Sequence, residues 1–429
     1  MNRIGKLTVL MLGLWAGAAV AGTASSNEFK LDCRTGLRSA VVPEHIQYST
    51  SWATNLTAAQ QADAKAVVKV NPCLKTPPKY LVIDMSGGRS AERWPISYLD
   101  EVPNGGWTDE YKTEKLVLRY IPAGSFIMGG RATDYPGAVN TNLHMVTLTK
   151  PFYIGVFECT QRQWELAMGT RPSWFSNEMC YASRPVEQVT YKTIRGDKLG
   201  LMWPQDSRVD EISFMGVLRR EVLVPSFDLP TEAQWEYACR AGVGTALNSG
   251  KDINSTIDDP EMDVLGRYHG NQGENISSDS MTDCGTAVVG SYLSNKYGLF
   301  DMHGNVWEMC LDHWGNHTEG IDPKGGLEGQ IVLKGGCWRS GVASGFTSAC
   351  FSAAIGGGHE DSVDAGVGFR ICLHDATVYP SADSTTILVN TVGAAAADWT
   401  PTQAGTYQLT HGCRWTGRRL HRWRVRSSR

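Results

Sequence analysis

The stretch Asp301-Met-His-Gly-Asn-Val-Trp-Glu308 places two carboxylates around a glycine turn. Asp301 and Glu308, with the backbone carbonyls of Gly304 and Val306 between them, make a hard-oxygen shell of the kind Ca²⁺ takes. The same residues also suit a simple turn whose carboxylates accept backbone hydrogen bonds. The second group is sulfur. Eleven cysteines stand at 33, 73, 159, 180, 239, 284, 310, 337, 350, 372 and 413, and no two have the spacing of a zinc knuckle. An odd count leaves at least one thiol unpaired within a monomer. Cys337 and Cys350 read as a disulfide or as two buried apolar thiols before they read as a catalytic pair.

These groups must be positioned by elements that the sequence writes in part. Leu116-Val-Leu-Arg-Tyr-Ile121 and Lys150-Pro-Phe-Tyr-Ile-Gly155 are written as strands, and Pro122 to Gly130 as a turn entering another. Thr160 caps a helix running to Met168, with Trp164, Ala167 and Met168 on one side. Thr231 and Gln234 form a capping box for a second helix ending near Gly242, whose apolar face is Trp235, Ala238 and Cys239. Val332 to Trp338 and Gly366 to Cys372 read as core strands.

The chain has 429 residues, 42% hydrophobic and 20% charged, which points to a folded globular protein of more than one unit. With 46 glycines and 14 tryptophans it needs many turns and bulky anchors between them. A formal charge of -4 gives little steering toward nucleic acid or anionic membrane.

Residues 1–21 have a basic start, an apolar run and Ala19-Val-Ala21, the pattern of a cleaved export signal. The expected location is therefore periplasm, cell surface or extracellular, with some cysteines paired. Residues 27–115 read as an N-terminal β-rich module, 116–373 as one main domain, and 380–411 as a partial β-module that pairs with the first. Residues 412–429 form a tail with seven arginines and no acid, which reads as a frame-shifted or truncated end. No stretch after the leader is long and apolar enough to span a bilayer.

The main domain resembles the formylglycine-generating-enzyme, or sulfatase-modifying-factor, family. Seven segments carry the likeness, in the family's order: Ile121 to Gly129, Tyr153 to Thr160, Arg184 to Val189, Leu229 to Ala238, Gly298 to Glu308, Lys334 to Trp338, and Gly368-Phe-Arg370. The resemblance implies an α+β, loop-rich, C-type-lectin-like fold with small flanking β-modules. It implies a structural calcium site at Asp301, Gly304, Val306 and Glu308. A second calcium site would lie near Tyr268 and the 272–283 stretch, where Arg267 has the wrong charge. His303 is expected to be a buried hydrogen-bonding residue, and Trp307, Trp338 and Phe369 core anchors.

Family enzymes oxidise a substrate cysteine to formylglycine with O₂ and copper held by two cysteines after a Gly-Gly-x-Trp motif. Paired thiolates are soft ligands that select Cu(I). Here Arg339 follows Trp338, and the second position falls near Ser344 or Phe346. Cys337 and Cys350 are the nearest thiols, both displaced, so copper is not expected. Some relatives carry an iron site of histidines and a carboxylate. His313 and His317 with Glu319 have a suggestive spacing, but Gly315 and Asn316 read as a solvent loop. The expected function is an exported scaffold or binding protein for a peptide, glycan or surface-protein ligand. The alternative is an oxidoreductase generating formylglycine on exported sulfatases.

Overall fold

Tyr80-Leu-Val-Ile-Asp84 is apolar at successive positions, as a strand covered on both faces must be. It is β1 of a six-stranded antiparallel sheet in the computed structural model. The described residues are 77–376 apart from 131–140, 197–207, 256–257, 274–282, 315–319, 327–328 and 342–354. They also include the backbone of short strands in both terminal regions. The leader, Cys350, His317, Glu319 and most of the Arg-rich tail lie outside the described residues.

After β1 come β2 (Ile96–Leu99), β3 (Lys115–Ile121), β4 (Gly124–Gly130), β5 (Thr141–Leu148) and β6 (Phe152–Gly155). Further on are β7 (Phe227–Asp228), β8 (Trp307–His313), β9 (Gly320–Ile321), β10 (Ile331–Lys334), β11 (Ile355–Gly358), β12 (Val367–Gly368) and β13 (Cys372–Leu373). The central sheet runs β7-β13-β6-β3-β1-β2, a second runs β11-β10-β8-β12, and a third runs β9-β5-β4. Helices and strands together make an α+β fold.

The sheet corrects the expected boundary at 115/116. β1 pairs with β3 from Tyr80↔Arg119 to Asp84↔Lys115, so residues from 80 onward belong to the main domain. The remaining N-terminal strands, Lys30–Asp32, Leu37–Ser39 and Val67–Val70, share a sheet with Thr406–Leu409, Thr386–Val389 and Val378–Pro380. Val67–Val70 runs parallel to Thr406–Leu409.

Six α-helices are described: α1 (Glu110–Thr113), α2 (Gln161–Met168), α3 (Tyr191–Arg195), α4 (Phe214–Val222), α5 (Glu232–Arg240) and α6 (Pro260–Asp263). Capping boxes start α2, α3 and α5, at Thr160, Thr190 and Thr231. In α5 the Thr231 hydroxyl accepts from Gln234 N at 3.1 Å, and Gln234 Oε1 accepts from Thr231 N at 3.0 Å. That satisfies two of the helix's otherwise orphaned N–H groups. The helix closes on Ala241, at φ 47°, one residue before the expected glycine.

All nine residues of α5 are buried, so the helix has no solvent face. Its charged side chains are paired instead: Glu236 meets Lys334 at 3.0 Å and Arg240 at 2.8 Å. Burial alone would raise the Glu236 carboxyl, but Lys334 and Arg240 pull it down to about 2. That pairing holds α5 against β10. No helix among the described residues is long and apolar enough to cross a membrane.

The turn before β8 decides where the candidate site residues go. Asp301, Gly304 and Asn305 all take positive φ, at 55°, 82° and 62°, which suits Gly, Asp and Asn best. A β-carbon on Gly304 would lie 2.0 Å from the Arg267 carbonyl oxygen, a backbone atom that cannot swing aside. Gly304→Ala is expected to destabilise the domain by about 3 kcal/mol or more. Thermal denaturation checks this, and an unchanged midpoint contradicts the geometry.

Candidate functional site

The chemistry-bearing residues fall in two places, a buried carboxylate cluster and a surface turn after β10. In the cluster, Glu308 leaves β8 at a level paired with Gly368 of β12. Two residues past Gly368, Arg370 grips Glu308 with both arms, Nη2 to Oε1 at 2.6 Å and Nε to Oε2 at 2.7 Å. The Trp235 indole donates to the same Oε2 at 2.7 Å. Arg370 also donates to the carbonyls of Gly155 at 2.8 Å and Phe300 at 3.0 Å. Both Glu308 oxygens are therefore occupied by charge-assisted or indole hydrogen bonds.

Asp301 is differently placed. Its Oδ2 accepts from Gly290 N at 2.6 Å, while its buried Oδ1 has no hydrogen-bond partner. A third acid, Glu158, accepts from Asn305 Nδ2 at 2.6 Å and Val306 N at 3.1 Å. Burial first, then the neighbouring acid charges, hold the Glu158 and Asp301 carboxyls above their usual range. Three acids thus surround one guanidinium, and Glu158 was missed in the sequence. Its signal was its place in the Tyr153 to Thr160 segment. Of the four expected calcium ligands, the side chain of Glu308 is taken by Arg370 and Trp235. Asp301 Oδ1 is the carboxylate oxygen left open to a cation. In the second expected region Arg267 turns inward, donating from Nη1 to the Asn271 carbonyl.

The surface turn is set by Gly335 and Gly336, at φ 93° and 79°. They direct Cys337 inward, where it is buried with Sγ 3.4 Å from Ser340 Oγ. Burial pushes this thiol up from its ordinary range. Trp338 is buried too, its indole donating to the Ala365 carbonyl at 3.0 Å and its ring edge-on to Phe175 at 5.2 Å. Arg339 points outward. Its Nη2 reaches both Asp364 oxygens at 2.5 Å, with the two side chains 47% and 38% exposed. The position after Trp338 is thus a solvated ion pair. Ser344, Phe346 and Cys350 lie outside the described residues.

Glu187 lies beneath this turn, fully buried, and was not singled out in the sequence although Arg184 to Val189 was. Its Oε1 accepts from Phe175 N at 2.9 Å, and its backbone N–H donates to Ser173 Oγ at 3.1 Å. Its Oε2 has no partner. Burial, with some help from Asp364, pushes this carboxyl up to about 7 against the pull of Phe175, Trp174 and Arg184. Phe175 packs on Trp338, so Glu187 supports the loop on which the turn rests.

Two histidines singled out in the sequence are buried and hydrogen-bonded. His313 is not in a solvent loop: it ends β8, buried, with Nε2 2.9 Å from Glu360 Oε1. His303 is buried and accepts from Asn248 N at 3.0 Å. Trp307 and Phe369 are buried as core anchors. No group of three or more His, Cys, Asp or Glu side chains is arranged to hold a metal among the described residues.

Over this domain the chain is similar to known proteins. A family model described as a sulfatase-modifying factor enzyme 1-like domain matches residues 108–375. The chain is similar to the chaperone protein LppX of Paenibacillus barcinonensis, 32% identical over 219 residues, 46% of this chain and 72% of that protein. It is 34% identical over 293 residues to the formylglycine-generating enzyme of Streptomyces coelicolor, covering 60% of this chain and 88% of the enzyme. The match to the mouse formylglycine-generating enzyme is 34% over 163 residues, 36% of this chain and 40% of the enzyme's length.

The sign of the Glu187 shift gives a test. Its folded value, about 7, lies above the ordinary 4.5, so folding favours the protonated form. The stability it contributes is present below the ordinary value and is lost as pH rises through the folded one. The unfolding midpoint of the wild type is expected to fall across that window, and Glu187→Gln to flatten the fall. A variant that keeps the full wild-type slope excludes Glu187 as its source.

Proposed function

Because the chain belongs to the sulfatase-modifying-factor family, we propose that it is an exported binding or scaffold member that does not oxidise thiols. The observation that carries this reading is the turn after β10. Cys337 faces the core with its thiol held protonated by burial, and the next outward side chain is Arg339, ion-paired to Asp364. Cu(I) chemistry needs converging thiolates at an accessible surface. Cys159, Cys310 and Cys372 are buried thiols likewise raised by burial, and none stands in that turn. Among the described residues, these thiols support a reading without a copper centre. The relative named as a chaperone is compatible with a binding role. We read the loop-rich domain as C-type-lectin-like, with a peptide, glycan or surface protein as the ligand held by its loops.

Calcium is proposed as a structural ion. The buried Asp301 Oδ1, with no partner and two further acids nearby, supports a cation there. Backbone carbonyls of Gly304 and Val306 would complete its shell, with Glu308 holding Arg370 rather than the ion.

Two experiments test these readings. Titration with Cu(I) against a competing chelator is expected to show no stoichiometric binding by the wild type or by Cys337→Ala. One tight Cu(I) per chain, lost in Cys337→Ala, would restore the oxidase reading. For calcium, adding Ca²⁺ to chelator-treated protein is expected to raise the unfolding midpoint through mass action, and Asp301→Asn to abolish the rise. A midpoint indifferent to Ca²⁺ removes the ion from the account.

A further inference from the structure

Residues 169–180 cross the surface as one loop after α2. Only two of them are buried, Ser173 and Phe175, and both touch down on Glu187. The Glu187 N–H donates to Ser173 Oγ at 3.1 Å, and the Ser173 hydroxyl donates to the Glu187 carbonyl at 3.2 Å. The Phe175 N–H donates to Glu187 Oε1 at 2.9 Å. Phe175 has further ties that do not titrate: Gln161 Nε2 donates to its carbonyl at 2.9 Å, and its ring meets Trp338 edge-on. Between the two anchors Trp174 is 51% exposed, and Met179 further along is 86% exposed.

The carboxyl that holds this loop is badly placed to carry a charge. Glu187 is fully buried, and its Oε2 has no hydrogen-bond partner. Two charged groups face it. Asp364, whose carbonyl accepts from the Gln188 N–H at 3.1 Å, repels the ionised form and keeps its own carboxylate on Arg339. Arg184 attracts the ionised form, but its Cζ also lies 5.7 Å from the Phe175 ring centroid, and its Nη2 donates to the Cys284 carbonyl at 3.2 Å. The Cys337 thiol beneath the same turn is held neutral by burial and adds no charge. A buried carboxylate with one bare oxygen is costly, and the neutral acid loses less by burial. Water removes that cost, and it reaches Glu187 once the loop lifts.

We propose that Glu187 is a proton-operated latch on this loop: the neutral carboxyl keeps Ser173 and Phe175 seated, and loss of its proton lets the loop lift and carry Trp174 with it. Burial holds Glu187 at about 7 while the loop is closed, against the ordinary 4.5 when water surrounds it. Opening is therefore increasingly favoured as pH rises from 4.5 to about 7, and gains nothing more above that. The side chains displayed by the loop are held in place in acid and released toward neutral pH. The latch operates whatever ligand the domain's loops hold.

Backbone hydrogen exchange of the full chain tests it. The Phe175 and Glu187 amides, which bond across the two anchors, are expected to exchange much faster than those of β6. Their exchange should respond little to low urea, because a local opening exposes little surface. After correction for the intrinsic effect of pH, their opening equilibrium is expected to rise on the order of a hundredfold between pH 4.5 and about 7. Glu187→Gln, which cannot ionise, is expected to abolish the rise. Exchange of these amides only together with those of β6 overturns the latch, since the loop then opens only when the domain unfolds. So does a rise that persists in Glu187→Gln. The carbon-13 shift of the Glu187 carboxyl, titrated in the wild type, needs no variant to fold: a value near the ordinary 4.5 overturns the proposal as well.

Discussion

Arg370 and Glu308 hold the domain together at the point where its layers meet. Glu308 comes from the second sheet, Arg370 leads into the central one, and the indole of Trp235 adds α5 to the same carboxylate. The guanidinium's remaining donors reach Gly155 at the end of β6 and Phe300 before the candidate turn. Five separate pieces of backbone are thereby joined through this one ion pair. Breaking such a buried pair by removing one partner costs about 3–5 kcal/mol, mostly from the charge left behind. Arg rather than Lys is needed, because a fork of donors satisfies two carboxylate oxygens and two carbonyls together.

The same rule explains the rest of the buried charge. Asp228 is gripped by Arg195 and Arg219, with contacts of 2.9 and 3.1 Å, which overcome burial and hold its carboxyl below the usual range. Glu236 is lowered in the same way by Lys334 and Arg240. Glu158, Asp301 and Glu187 go the opposite way because burial is not answered by enough nearby positive charge. The contrast divides the buried acids into those that tie elements together and those left with unspent acceptor capacity. It is the second group that surrounds the candidate cation position and underlies the surface turn.

Much of this was legible in the sequence. Thr160 and Thr231 announced their helices because capping chemistry is local. Gly304 announced a turn because only glycine takes such a backbone angle freely. Val332 to Trp338 reads as one strand in the sequence, but the strand stops at Lys334 and the positive φ of Gly335 and Gly336 turns the chain. Trp235, Ala238 and Cys239 were read as one apolar face, yet α5 is buried all round. Periodicity cannot reveal that Glu232, Glu236 and Arg240 face ion partners from β10 and within the helix. α4 was missed although Ser213 caps it and its residues carry a helical period, so both local signals were present. What holds the Glu308 side chain is a long-range fact. Its claimant, Arg370, lies 62 residues later, and no spacing rule links the two. Glu158 and Glu187 were passed over for the same reason, since their partners are backbone amides brought in by folding.

The placement of the Arg370 pair also bears on how far the surface turn can vary without loss of shape. The groups that bind the layers are all interior: Arg370 with Glu308, Lys334 with Glu236, Arg195 with Asp228. The residue after Trp338 belongs to none of them. Its side chain is half exposed, and an ion pair so solvated contributes at most about 1 kcal/mol. Trp338 itself remains buried against Phe175, and the two preceding glycines keep the turn whatever follows. Substitution at that position therefore changes the surface chemistry while leaving the stabilising network intact. The strength of this loop-rich domain lies one layer beneath its surface turns.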